Sequence, residues 1–152
     1  MRACKPLVGA ALLVLVLAPA AFAQQPSPAG RIKVVTGSAF IVRNNSTVPA
    51  HAGDEVFASD AVQTGADGSL GITLKDDTRL SLGPSSEVRI ERYVYAPDSG
   101  ALGMVLNFVK GVGAYISGRM AKMAPDSIRL ETPAAIVGVR GTTHPANPLS
   151  PP

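Results

Sequence analysis

The chain predicts a single all-β domain of short strands, and three observations predict it. Between residues 70 and 90 the apolar side chains fall almost only on even positions (Leu70, Ile72, Leu74, Leu80, Leu82, Val88, Ile90), with Asp76 and Thr78 on the same parity. Charge falls mostly on odd positions (Lys75, Asp77, Arg79, Glu87, Arg89). Successive side chains of a strand point to opposite faces, so this alternation marks strands with one dry side, whereas a helix would spread the same residues all round. The parity survives two turn-forming clusters, Lys75-Asp76-Asp77-Thr78 and Gly83-Pro84-Ser85-Ser86, so three short strands share one buried face. Finally, 15 Gly and 13 Pro in 152 residues exceed the usual combined share of about 12% and favour a turn-rich β chain over a helical bundle.

Residues 1–23 read as an address. Arg2 and Lys5 make a positive start, Leu7 to Ala23 is apolar apart from Pro19, and Ala21-Phe22-Ala23 precedes Gln24. This is the pattern of a secretory signal peptide cleaved between Ala23 and Gln24, its apolar run being shorter than the roughly 20 residues that span a bilayer. Cys4 leaves with the leader, so the mature chain has no cysteine and must be held by its core. Without Arg2 and Lys5 the 14 basic and 11 acidic residues become 12 against 11, a balance that gives no reason to expect nucleic acid or an anionic membrane as partner.

In chain order, 24–30 (QQPSPAG) reads as a disordered lead-in. Arg31 to Arg43 reads as two strands about Gly37, with Ile32 and Val34 on one face and Phe40 and Val42 on one face. Asn44-Asn45-Ser46-Thr47 is a turn that also contains two N-x-S/T sequons. Val56, Phe57 and Val62 lie between the polar turns Gly53-Asp54-Glu55 and Thr64-Gly65-Ala66-Asp67-Gly68. Beyond residue 91, Arg92-Tyr93-Val94-Tyr95 runs into the turn Ala96-Pro97-Asp98-Ser99-Gly100.

Residues 101–117 are the most apolar of the mature chain. Met104, Leu106, Phe108, Val112 and Ile116 share one parity, and Val105, Val109 and Tyr115 carry the other. This reads as a strand covered on both faces, broken at Lys110-Gly111. Its glycines each cost about 1 kcal/mol in a helix. Gly118 to Asp126 reads as a polar loop, and Ser127 to Glu131 as a strand with Ile128 and Leu130 inward. Thr132-Pro133 ends it or leaves it at an edge. The tail, 143–152, is too rich in Pro for a regular ladder.

Residues 132–142 read Thr-Pro-Ala-Ala-Ile-Val-Gly-Val-Arg-Gly-Thr. The stretch resembles the signature that closes the FecR domain, named for the periplasmic part of the iron-dicitrate sensor regulator. The match lies at Thr132, Pro133, Ala135, Gly138, Val139, Arg140, Gly141 and Thr142. Gly53-Asp54, Val62-Gln63-Thr64-Gly65, Asp77-Thr78-Arg79-Leu80 and Gly111 are similar to earlier parts of the family, so the resemblance spans 31–142. It implies a β-solenoid-like or rolled-sandwich domain in the periplasm that acts by binding or signal relay and not by catalysis. Its partner would be another envelope protein, with no cofactor and no membrane span once the leader is gone. A signal peptide stands where the regulator has a sigma-factor segment and a membrane span, which separates this chain from direct sigma-factor control. The chain also departs from the family after Thr142, which reads either as a natural tail or as a truncated or frameshifted end. Arg140, between Gly138 and Gly141, either closes a carboxylate or carbonyl cluster or presents its fork to an anionic partner.

No catalytic or metal residues are expected. His51 and His144 are far apart, and HExxH, paired cysteines, G-x-S-x-G and P-loop patterns are absent. Asp76-Asp77 fits a hairpin turn better than a carboxylate pair, because neighbours on a strand face opposite ways. Tyr93, Tyr95 and Tyr115 read as core rim, having no basic stripe beside them. The expected function is a non-catalytic periplasmic FecR-like interaction or signal-relay domain. The alternatives are an envelope scaffold gripping peptidoglycan or polysaccharide through tyrosines, and a fragment of a larger multidomain envelope protein.

Overall fold

The even-parity stretch forms the middle of the sheet. A computed structural model describes residues 26–132 in full and the backbone of 135–140. The strands are β1 (Gly30–Thr36), β2 (Ala39–Arg43), β3 (Ser46–Pro49), β4 (Glu55–Val56), β5 (Ala61–Thr64), β6 (Ser69–Leu74), β7 (Arg79–Leu82), β8 (Glu87–Ala96), β9 (Ala101–Ile116), β10 (Ile128–Glu131) and β11 (Ala135–Arg140), with one short helix, α1 (Arg119–Met123), after β9. Leu70, Ile72, Leu74, Leu80, Leu82, Val88 and Ile90 are all buried. The shared face across both turns is borne out. Each such side chain contributes about 1.5–3 kcal/mol by leaving water.

The strands run in the order β3-β2-β5-β8-β9-β7-β6-β1-β4, with β10 and β11 also paired to β9. The all-β expectation holds, as a curled sheet with one hydrophobic cluster inside the curl that takes side chains from both arms. Strand β9 is the spine. On one side β8 pairs antiparallel with its first part and β7 with its last. On the other side β10 and then β11 run parallel to it, Ile128 opposite Met104 and Arg140 opposite Ile116, a separation of 24 residues at both ends. This parallel return is the solenoid-like feature, and the other described pairings are antiparallel.

The break expected at Lys110-Gly111 is a kink inside one continuous strand. Gly111 has φ 86°, and a Cβ there would lie 2.5 Å from the Ser86 Cα. Ser86 fills that space and its Oγ accepts a hydrogen bond from the Val112 N–H at 2.9 Å. The kink reverses parity. Met104, Leu106 and Phe108 are buried before it and Tyr115 after it, while Val112 and Ile116 are exposed. The expectation that Val112 and Ile116 share the face of Met104 is corrected for that reason.

A bulge between Ile32 and Val34 has the same effect. It leaves Val34 exposed and turns Val35 to the core, against the expected Ile32–Val34 face. In β2 Phe40 and Val42 do share a face, but Ala39 and Ile41 are the buried ones. Asn44 and Asn45 both have positive φ (49° and 62°), the two-residue hairpin turn such residues favour, and it opens β3, a strand the sequence did not announce.

The expected polar loop at 118–126 instead contains α1, whose Met120 is fully buried. Of the lead-in expected to be disordered, residues 24 and 25 lie outside the described residues, while its end is built in. Ala29 is buried, its N–H bonded to the Val56 carbonyl at 2.7 Å and its carbonyl to the Lys75 N–H at 2.9 Å. No helix among the described residues is long and apolar enough to cross a membrane.

Candidate functional site

Polar side chains that the fold buries are the first place to look for chemistry, since burying them without partners is costly. Asp76 is fully buried at the β6–β7 turn. Its Oδ1 accepts the Tyr93 hydroxyl at 2.9 Å and its Oδ2 the Thr78 hydroxyl at 2.6 Å. The Thr78 oxygen in turn accepts the Gly118 N–H at 3.1 Å, and the Asp76 carbonyl accepts the Arg119 N–H at 2.6 Å. Gly118 fits because it has no side chain: a Cβ would lie 2.3 Å from the Thr78 nitrogen. The knot therefore ties the β6–β7 turn to β8 and to the exit from β9. Burial first, and then the neighbouring Asp76 charge, push the Tyr93 phenol far above its ordinary value. Burial raises Tyr115 as well. Neither phenol is set up to ionise, and both behave as fixed parts of the frame.

Asp60 is a second buried carboxylate. It receives Nε and Nη2 of Arg43 at 2.8 and 2.6 Å and the Phe57 N–H at 2.8 Å. The Arg43 guanidinium lies 4.5 Å from the Phe57 ring centroid, a cation–π contact, and its hydrogen bonding to Asp60 raises its pKa further. Glu87, also buried, accepts from Gln63 at 3.2 Å and from Arg89 at 3.1 Å. All three buried carboxylates are thus occupied in holding turns and strands together.

The outer face of the sheet differs. Arg92 on β8 and Arg129 on β10 both stand opposite Val105 of β9, so the three form one row across three strands. The two arginines are exposed, and among the described residues neither has an ion-pair or hydrogen-bond partner. They border a groove of about 730 Å³ with Gly103 and Val105 in its lining and Pro125, Asp126 and Ser127 beside them. The Arg92 guanidinium lies against Gly103, where a Cβ would meet its Cζ at 3.4 Å. A smaller cleft of about 250 Å³ is lined by Lys75, Tyr93 and Tyr95.

The closing motif is only partly in view. Thr132 is exposed after β10. Gly138, Val139 and Arg140 lie on β11 opposite Ala114, Tyr115 and Ile116. Pro133, Gly141, Thr142, the Arg140 side chain, His144 and the cleavage pair Ala23 and Gln24 lie outside the described residues. His51 is exposed, with its N–H bonded to Asp54 at 2.8 Å. Asp76 and Asp77 do face opposite ways: Asp77 is outside, paired with Arg119 at 2.7 Å. Tyr115 is fully buried, deeper than the rim expected for it. Among the described residues there is no group of three or more His, Cys, Asp or Glu that could hold a metal.

A family model described as FecR protein matches residues 60–147. The chain belongs to the FecR family. The matched region starts just before β5 and takes in the spine, the Asp76 knot, the Arg92–Arg129 row and the closing motif. It begins later than residue 31 and runs past Thr142. FecR is a regulatory, signalling-related family. Comparison with the curated proteins finds no match, and comparison with the solved structures finds none.

The row of arginines was not read from the sequence. Arg92 and Arg129 are far apart in the chain, and a register shift between Ile90 and Arg92 moves Arg92 off the local parity. The buried polar residues did carry a signal: Asp76, Thr78 and Ser86 have the even numbers of the dry face.

Proposed function

We propose that this FecR domain is an exported, non-catalytic module that works in the periplasm by binding another envelope protein and relaying a signal. The observation that carries the reading is the contrast within the fold. Asp60, Asp76 and Glu87 are held by internal partners, as a rigid frame requires, while a grooved outer face presents cations with no partner among the described residues, as a binding surface does. Family membership and the leader pattern of residues 1–23 support the same reading. The polysaccharide-gripping alternative finds less support, because Tyr115 is buried and Tyr93 is tied to Asp76. The folded unit is proposed to run from Ala29, two residues before the expected start at residue 31, to residue 142, with Thr132, Pro133, Gly138, Val139, Arg140, Gly141 and Thr142 as its closing motif.

The test is expression of the chain with its leader in a Gram-negative host, followed by osmotic-shock fractionation and N-terminal sequencing. The expected product begins at Gln24 and is released with the periplasmic fraction, without hydrolase activity. A full-length product that stays in the cytoplasm overturns the reading.

A further inference from the structure

Among the described residues, the edge of the sheet beside the arginine row has an unused hydrogen-bonding side. Among the described residues β10 pairs with β9 alone. An edge strand directs alternate N–H and C=O groups away from its one neighbour, and such a row is a template for a further strand. The residues that follow it supply poor competitors: Pro145, Pro148, Pro151 and Pro152 lack the N–H a ladder needs. Strand β10 is also anchored from below, since Ile128 and Leu130 pack against the core, which leaves Arg129 on the outer face.

We propose that the open edge of β10, together with the Arg92–Val105–Arg129 row beside it, docks an extended acidic segment of a partner protein, which adds to the sheet as a further strand. The backbone of β10 supplies main-chain hydrogen bonds and therefore affinity; alternate side chains of the added strand supply specificity. Those that face outward lie next to Arg129, whose fork suits a carboxylate. Arg92 lies two strands further in, about 10 Å at the usual strand spacing, so it contributes mainly through its field across the groove. Asp126 is the one carboxylate in the groove lining, leaving two cations against one anion. This inference rests on the interaction reading above and names the chemistry of the partner.

The experiment is fluorescence anisotropy with the exported chain and three labelled octapeptides: alternating Thr and Glu, alternating Thr and Lys, and the Thr/Glu peptide N-methylated at alternate backbone nitrogens. Saturable binding of the Thr/Glu peptide alone is expected. Arg129→Glu should weaken it about tenfold and Arg92→Glu about threefold. Both residues are exposed, and circular dichroism verifies that each variant is folded. Absence of binding, equal binding of the Lys peptide, equal binding of the methylated peptide, or an unchanged affinity in Arg129→Glu each overturns the proposal. So does oligogalacturonate binding as tightly as the peptide, which would assign the row to anionic sugar. Failure here with a periplasmic product leaves the interaction reading standing; a cytoplasmic product overturns that reading whatever the peptides do.

Discussion

The Asp76 knot and the Arg92–Arg129 row belong to the same sheet and treat charge in opposite ways. At the knot a carboxylate is withdrawn from water and accepts hydrogen bonds from the Tyr93 and Thr78 hydroxyls. In the row two guanidiniums stand in water without described partners, beside a groove. The difference separates what holds this domain together from what it has to offer a partner. A buried charge is affordable only when its hydrogen bonds are complete, so the knot has no free valence for a ligand. An exposed arginine adds little to stability and keeps its donors available.

The comparison breaks most visibly at the knot. Asp76→Ala leaves the Tyr93 and Thr78 hydroxyls without their acceptor and should cost about 3–4 kcal/mol in urea unfolding; a loss below about 1 kcal/mol would show the knot to be ornamental. Gly111→Ala should follow at about 2–3 kcal/mol, because it combines a left-handed φ with a close approach to Ser86, and the same unfolding curve measures it. Arg43→Met removes the cation both from buried Asp60 and from the face of the Phe57 ring. About 2 kcal/mol of destabilisation is expected, recovered in large part by the double variant with Asp60→Asn.

Tyr93→Phe should cost about 1 kcal/mol at neutral pH and is more informative above it. The folded state raises the phenol pKa above its ordinary 10.0, so the fold favours the protonated form. The associated stability is present below about pH 10 and is lost as pH climbs from there toward the higher folded value. Stability of the parent should therefore fall above pH 10, and that slope should flatten in Tyr93→Phe. The smallest effect belongs to the row. Arg92→Gln and Arg129→Gln should each change stability by no more than about 0.5 kcal/mol. A loss of 2 kcal/mol in either would move that arginine from the offering side of the comparison to the holding side.

Local alternation was enough to read the dry face of residues 70–90, because strand parity needs no distant partner, and it even placed Asp76 and Thr78 on that face. It failed wherever one residue shifts the count. The bulge after Ile32 turned Val34 out, the kink at Gly111 turned Val112 out and Tyr115 in, and the register shift before Arg92 moved a functional candidate off the expected parity. Each shift is set by what the strand pairs or packs with and not by the local pattern: β6 for the first, Ser86 for the second, and the next strand, β9, for the third.

By itself the sequence determined the all-β class, the turns at Asn44-Asn45 and Asp76-Asp77, the family and the leader pattern, since short-range periodicity, turn chemistry and motif spacing are properties of neighbouring residues. The tertiary structure alone decided that β10 and β11 return parallel along β9, that Asp76 is walled in by Tyr93 and Gly118, and that Arg92 and Arg129 stand in one row. Those are matters of which distant strands pair and in what register, and hydrogen bonding between strands is a contact that no local pattern encodes.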